Sequence, residues 1–240
     1  MKDNGVVNDK HIDPILDRAA KRPNEVDSAR LEAIADSIKA STRPVRALPP
    51  AWTLTLGTAL VAAAVAIAGA ARVGFLGFEK QSTLDRALIF SMLAIFVWLA
   101  STEFVSQMIP GSRHRVTPGA LLAAAIAALL AMFALLFHDY HMTQFVSLGL
   151  ACLSTGLLHA VPTALICWLV LRRGFAVNSV AAGLAAGTLG GLAGLAMLEL
   201  HCTDFEVLHI MVWHCAVVLV SGALGALVGW ALRFLPSRNA

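Results

Sequence analysis

Charge is scarce in most of this chain, and the scarcity decides its class. Charged residues make up 14% of its 240 positions and hydrophobic ones 58%, where a soluble domain carries about 25% charge. A typical cytosolic enzyme, a disordered chain and a direct nucleic-acid binder are excluded, and a net charge of +3 is too small to draw a polyanion. The deficit is uneven: residues 1–50 hold nine Lys/Arg and eight Asp/Glu, and the other 190 residues share 16 charges. Recognisable catalytic chemistry is missing as well. No Ser or Cys nucleophile sits with a suitably placed base and orienter, and neither a glycine-rich phosphate loop nor an HExxH motif occurs. No apolar stretch alternates every second residue, which excludes a β-barrel.

What is present is a set of six long apolar stretches, near 52–75, 87–109, 119–137, 144–171, 176–199 and 207–232. Each approaches the roughly 20 residues needed to cross about 30 Å of hydrocarbon as a helix. The expected fold is all-α: a six-helix transmembrane bundle over 51–233, a helical N-terminal segment over 1–50 and a short tail over 234–240. The first apolar run begins only after Pro49–Pro50, too late for a cleaved leader.

Basic residues set the expected orientation. The N-terminal segment, Arg113 and Arg115, Arg172 and Arg173, and Arg233 and Arg238 place 15 of the 18 Lys/Arg on one side. Both termini are therefore expected in the cytoplasm, with a multi-pass body in the membrane and lipid around it. The connections near 76–86, 138–143 and 200–206 are expected to face outward. Gly183, Gly187 and Gly191, Gly190 and Gly194, and Ser221, Gly225 and Gly229 recur four apart. Such strips let helix backbones approach closely, within the bundle or at a dimer seam.

In the N-terminal segment, Asp13–Pro14 and Asp27–Ser28 are helix starts. After the second, Leu31, Ile34, Ala35 and Ile38 fall on one face of an amphipathic helix over 28–41, with Arg43 and Arg46 beyond it. So short a segment builds no core alone, so its stripe is expected to cover its own membrane body or to enter a groove on a soluble partner. Glu32 and Asp36 on its polar side argue against a lipid-surface helix.

The outer end of the bundle gathers soft and borderline ligands: Cys202, His138, His141 and His201 at the connections, His209 close by, Cys152 about two turns inside the fourth stretch and His214 deeper. Two chemistries fit. Cys152 and Cys202 pair as a reversible disulfide in an oxidising compartment, provided the 200–206 connection dips about 10 Å to reach Cys152. Alternatively, these thiolates and imidazoles hold a zinc- or cadmium-class ion. For His209 and His214, structural hydrogen bonding competes with ligation. Within the membrane, Glu103 and His159 are the costly polar groups, and a small transporter for a metal or stress compound would use them.

Three stretches resemble a known family. They are "ADSIKASTRPVRALPP" (35–50), "SQMIPGSRHRVTP" (106–118) and "LRRGFAVNSVAAGLAAGTLGGLAGLAMLELHCTDFEVLHIMVWH" (171–214), the last with its LHC, six residues, then HxxxWH. They are similar to the NrsF-type negative regulators of extracytoplasmic-function sigma factors, six-span bacterial anti-sigma proteins. The resemblance covers about residues 30–235 and leaves 1–27 as an extension. It implies a cytoplasmic segment that holds a sigma factor inactive at the membrane. It also implies an outward cysteine pair for stress sensing at Cys152 and Cys202, and no catalysis. Cys167 and Cys215 match no position in it.

Overall fold

The computed structural model describes Pro14, Asp17 and residues 28–41, 49–109, 111–112, 116–142, 144–171 and 178–234. Arg43, Arg46, Arg113, Arg115, Arg172, Arg173 and the 235–240 tail lie outside the described residues. The chain divides into two units, Met1–Ala47 and Leu48–Ala240.

In the first unit the amphipathic pattern folds as expected, into α1, Ser28–Ser41. Leu31, Ile34 and Ile38 are 52%, 54% and 56% exposed, and Ala35 is exposed beside them. On the polar side Lys39 pairs with Asp36 at 3.6 Å.

Among the described residues, the second unit is built on six helices long and apolar enough to cross a membrane. In order they are α2 (Ala51–Val73), α4 (Thr83–Ser106), α5 (Pro118–Leu136), α6 (Phe145–Leu171), α7 (Ser179–His201) and a sixth span over Val207–Phe234. A short α3, Leu76–Lys80, sits in the first connection. The sixth span comprises α8 (Val207–His209), a π turn (Ile210–His214), α9 (Cys215–Ala231) and a closing 3-10 turn (Leu232–Phe234).

Side-chain caps fix three of the starts. The hydroxyl of Ser82 accepts from the Asp85 backbone N–H, that of Thr117 from Ala120, and the Asn178 carbonyl from Val180 and Ala181. Ser82 explains why the second span begins at Thr83, four residues before its apolar run near 87: the cap satisfies backbone donors that apolarity alone does not address. α6 runs without interruption through Pro162.

α7 is the central helix, with every residue from Ala185 to Leu195 buried. Its glycines make that position accessible. A Cβ on Gly187 would lie 2.2 Å from the Ser221 carbonyl oxygen, and one on Gly183 2.2 Å from that of Gly225, so backbone meets backbone along the α7–α9 seam. On another face a Cβ on Gly194 would lie 2.3 Å from the Gly156 oxygen of α6. The small-residue strips thus serve packing within the bundle. The main core joins Ile89, Phe96 and Phe104 of α4, Leu129 and Phe133 of α5, and Leu189 and Leu192 of α7. Leu60, Ile67, Leu158 and Leu227 lie exposed on the bundle exterior, as spans bathed in hydrocarbon allow.

Candidate functional site

The first, third and fifth connections meet at one end of the bundle. The Val207 N–H donates to the Asp139 carbonyl at 2.8 Å in a bridge between Asp139 and Glu206, and Phe137 stacks on Phe205 at 5.5 Å. α3 packs over the end of α7: a Cβ on Gly77 would lie 2.3 Å from the Cys202 carbonyl oxygen. Arg86 holds this connection, donating to the Gln81 carbonyl at 3.0 and 2.8 Å and lying 4.6 Å over the Phe78 ring.

Under these connections lies a buried group of four. Cys202 caps α7, and the 202–206 stretch folds toward the bundle, so its sulfur reaches that of Cys152, seven residues along α6, at 3.7 Å. His209 Nε2 is 3.9 Å from Cys202 Sγ. With His214, one ligand atom from each of the four residues lies within 4.8 Å of all the others. Cys202, His209 and His214 are buried and Cys152 half-buried. Such a Cys2His2 group could hold a metal ion.

The π turn is what brings the second histidine in. At 3.6 residues per turn, positions 209 and 214 of an α-helix point about 140° apart. An i to i+5 turn places them almost one above the other, and their rings sit 5.4 Å apart, edge to face. Each imidazole also has a carboxylate at its far nitrogen. His214 Nδ1 donates to Glu199 Oε1 at 2.7 Å with both side chains 1% exposed, and His209 Nδ1 lies 3.4 Å from Asp204 Oδ2. Glu199 is held in turn by Gln81, whose Nε2 is 3.2 Å from the Glu199 carbonyl oxygen and 3.5 Å from its carboxylate. The Cys202 thiol stands above the ordinary thiol value, first through its hydrogen bond with Cys152 and then through burial, while the imidazoles of His209 and His214 pull it down.

The other sequence candidates lie elsewhere. His138 is exposed. The exposed His141 pairs with Asp139; this raises the imidazole and lowers the carboxylate from their ordinary values, in each case mainly through their shared hydrogen bond. His201 Nδ1 donates to the Gly74 carbonyl at 3.1 Å. Within the spans, Glu103 accepts from Gln107 at 2.6 Å on α4, and His159 Nδ1 donates to the Thr155 carbonyl at 2.8 Å on α6. A Cβ on Gly69 would lie 2.5 Å from the His159 ring, so that glycine makes room for it. Cys167 and Cys215 are buried, as small apolar side chains are. Glu199 escaped the sequence reading, although it is the only acid in a 23-residue apolar helix that has no Lys or Arg. A lone carboxylate in such a run is the signal that finds it.

The model of the family described as negative regulator of sigma F (NrsF) matches residues 39–234, most of the chain. The chain belongs to the NrsF family. This regulator is therefore a negative regulator of a sigma factor, in a family of non-catalytic anti-sigma factors, with six candidate spans that suggest a multi-pass membrane protein. All four residues of the buried group and Glu199 lie inside the matched stretch, whereas Leu31, Ile34, Ala35 and Ile38 precede it. No curated protein and no solved structure matches the chain.

Proposed function

We propose that this protein sequesters an extracytoplasmic-function sigma factor at the bacterial inner membrane through α1, and releases it when a redox or metal stress signal reaches Cys152 and Cys202. The observation that carries the reading is the combination of NrsF membership with an exposed apolar stripe, Leu31, Ile34, Ala35 and Ile38, on a helix outside the spans. Such a stripe fits a groove on a soluble partner at i, i+3 and i+7 spacing. Arg43 and Arg46 would flank the contact. The head and tail face the cytoplasm, where sigma factors act, and the connections around Cys202 face outward. The basic-residue asymmetry supports that orientation.

The input side rests on the sulfur pair, 3.7 Å apart in a buried pocket of four ligand groups. Both a two-electron oxidation of the thiols and capture of a soft or borderline cation would change the packing of α6 against the α7 end. The test is sigma-dependent transcription in the living cell. Ile34→Asp makes it constitutive, and Cys152→Ser or Cys202→Ser changes its response to oxidant or metal. An Ile34→Asp strain that keeps full repression contradicts the role given to α1.

A further inference from the structure

The dimensions of the buried group select among the chemistries open to it. A zinc ion with Zn–S near 2.3 Å and Zn–N near 2.0–2.1 Å, at tetrahedral angles, spaces two sulfurs roughly 3.8 Å apart and a sulfur and a nitrogen roughly 3.6 Å apart. Here the sulfurs are 3.7 Å apart and the Cys202 Sγ to His209 Nε2 distance is 3.9 Å, the edges of that tetrahedron. His214 Nδ1 is engaged by Glu199, while its buried Nε2 has no hydrogen-bond partner among the described residues. An imidazole that donates its Nδ1–H to a carboxylate leaves its other nitrogen as a lone-pair ligand, which is how metal-bound histidines are oriented. The Asp204 carboxylate lies 3.4 Å from His209 Nδ1, on the same side of the second ring but at ion-pair distance rather than in a hydrogen bond.

We propose that Cys152, Cys202, His209 and His214 form a closed tetrahedral site for one divalent cation of the Zn2+ class, with Glu199 and Asp204 orienting its two imidazoles. Two thiolates and two neutral imidazoles around a divalent ion sum to zero charge at the ligands, and the buried Glu199 carboxylate beside them is met by hydrogen bonds from His214 and Gln81. Four protein ligands leave no open position, the arrangement of a structural rather than a catalytic zinc site. Sulfur and imidazole donors favour Zn2+ or Cd2+ over the hard ions Mg2+ and Ca2+. Ligation displaces the thiol protons, so affinity rises with pH. This inference names the chemistry of the input site and rests on the regulator reading only for the site's role.

The test uses full-length protein in detergent micelles, reduced, stripped with a chelator and titrated with Co2+ alone. One ion per chain binds, with the intense visible bands of four-coordinate cobalt and sulfur-to-metal charge transfer, and Zn2+ bleaches both. Cys152→Ser and Cys202→Ser each cut the charge-transfer band. His209→Gln and His214→Gln weaken binding while charge transfer remains. Glu199→Gln lowers affinity about 10–100-fold without changing the type of spectrum. Cys215→Ser and His201→Gln, adjacent but outside the set, leave titration and spectrum unchanged. A weak octahedral spectrum or no uptake by monodisperse wild-type protein overturns the proposal whatever the variants do, and so does an undiminished titration in both histidine variants. Absent metal binding with sigma capture intact removes the cation site alone. Metal binding without sigma capture removes the regulator reading alone.

Discussion

Glu199 and His214 face each other at 2.7 Å with about 1% of either side chain exposed, so neither has water to fall back on. Glu199→Leu leaves the His214 Nδ1 group buried without its acceptor, at a cost of about 1–3 kcal/mol. A lowered thermal midpoint of the purified protein is the expected readout, with Glu79→Gln on the exposed side of α3 as the unaffected control. A second residue-scale expectation concerns Asp139 and His141. Their contact raises the imidazole above 6.5 and lowers the carboxylate below 3.8. The carboxylate's contribution is present above its unfolded pKa and is lost as pH falls through its depressed folded value. The imidazole's is present below its unfolded pKa and is lost as pH rises through its raised folded value. The charged pair thus holds the 137–141 connection from mildly acidic pH up to the raised imidazole pKa. An NMR titration of His141 should show a midpoint above that of a free imidazole, and Asp139→Asn should bring it back down. The metal reading was available from the sequence, but not the selection of Cys152, Cys202, His209 and His214 over His138, His141 and His201, nor the Glu199–His214 contact. The sequence places Cys152, Cys202 and His209 near one mouth of the bundle, but the predicted fifth span stops at 199 and leaves Glu199 at its edge.

At the scale of elements, the six spans were legible because a 20-residue apolar run has few alternatives in a membrane. α1 was legible because Leu31, Ile34 and Ile38 keep helical spacing between charged residues. α3 was not: its five residues are held by Arg86, Phe78 and Gly77 against distant partners rather than by propensity. The π turn was hidden for a similar reason. It leaves no mark in Ile210–His214, yet it swings His214 onto the face of His209 and so decides which histidines can act together. The glycine strips were legible as packing devices, and the α7–α9 seam now supplies their energetics. Gly187→Val sets a side chain against a backbone carbonyl that cannot rotate away, so the helices must separate. Overpacking of this kind costs about 1–3 kcal/mol or more, and the expected readout is a lower thermal midpoint with helix content retained. Gly57→Ala, where none of the described residues lies within 4 Å of the added Cβ, is the matched substitution that should leave it unchanged.

The whole molecule has a helical head and a tightly packed bundle with a ligand group at one end of the bundle. Moving bound sigma factor from 99:1 to 1:99 takes about 5.5 kcal/mol of differential stabilisation, and a disulfide or a bound metal supplies an energy of that order. The orientation is open to a direct check. Single cysteines introduced at Lys80 and at His138 in a background with the native thiols replaced should react with a membrane-impermeant maleimide in intact spheroplasts, and one at Arg233 should not. The proposed grip on the sigma factor is the exposed face of α1. It is tested most directly by binding of the purified cognate sigma factor to the full-length protein in micelles, wild type against Ile34→Asp. Ile34 is 54% exposed, so the substitution should move the thermal midpoint little, within about 0.5 kcal/mol of stability. Wild type should retain the sigma factor, and Ile34→Asp, equally folded, should not. Equal retention by the two proteins would contradict it.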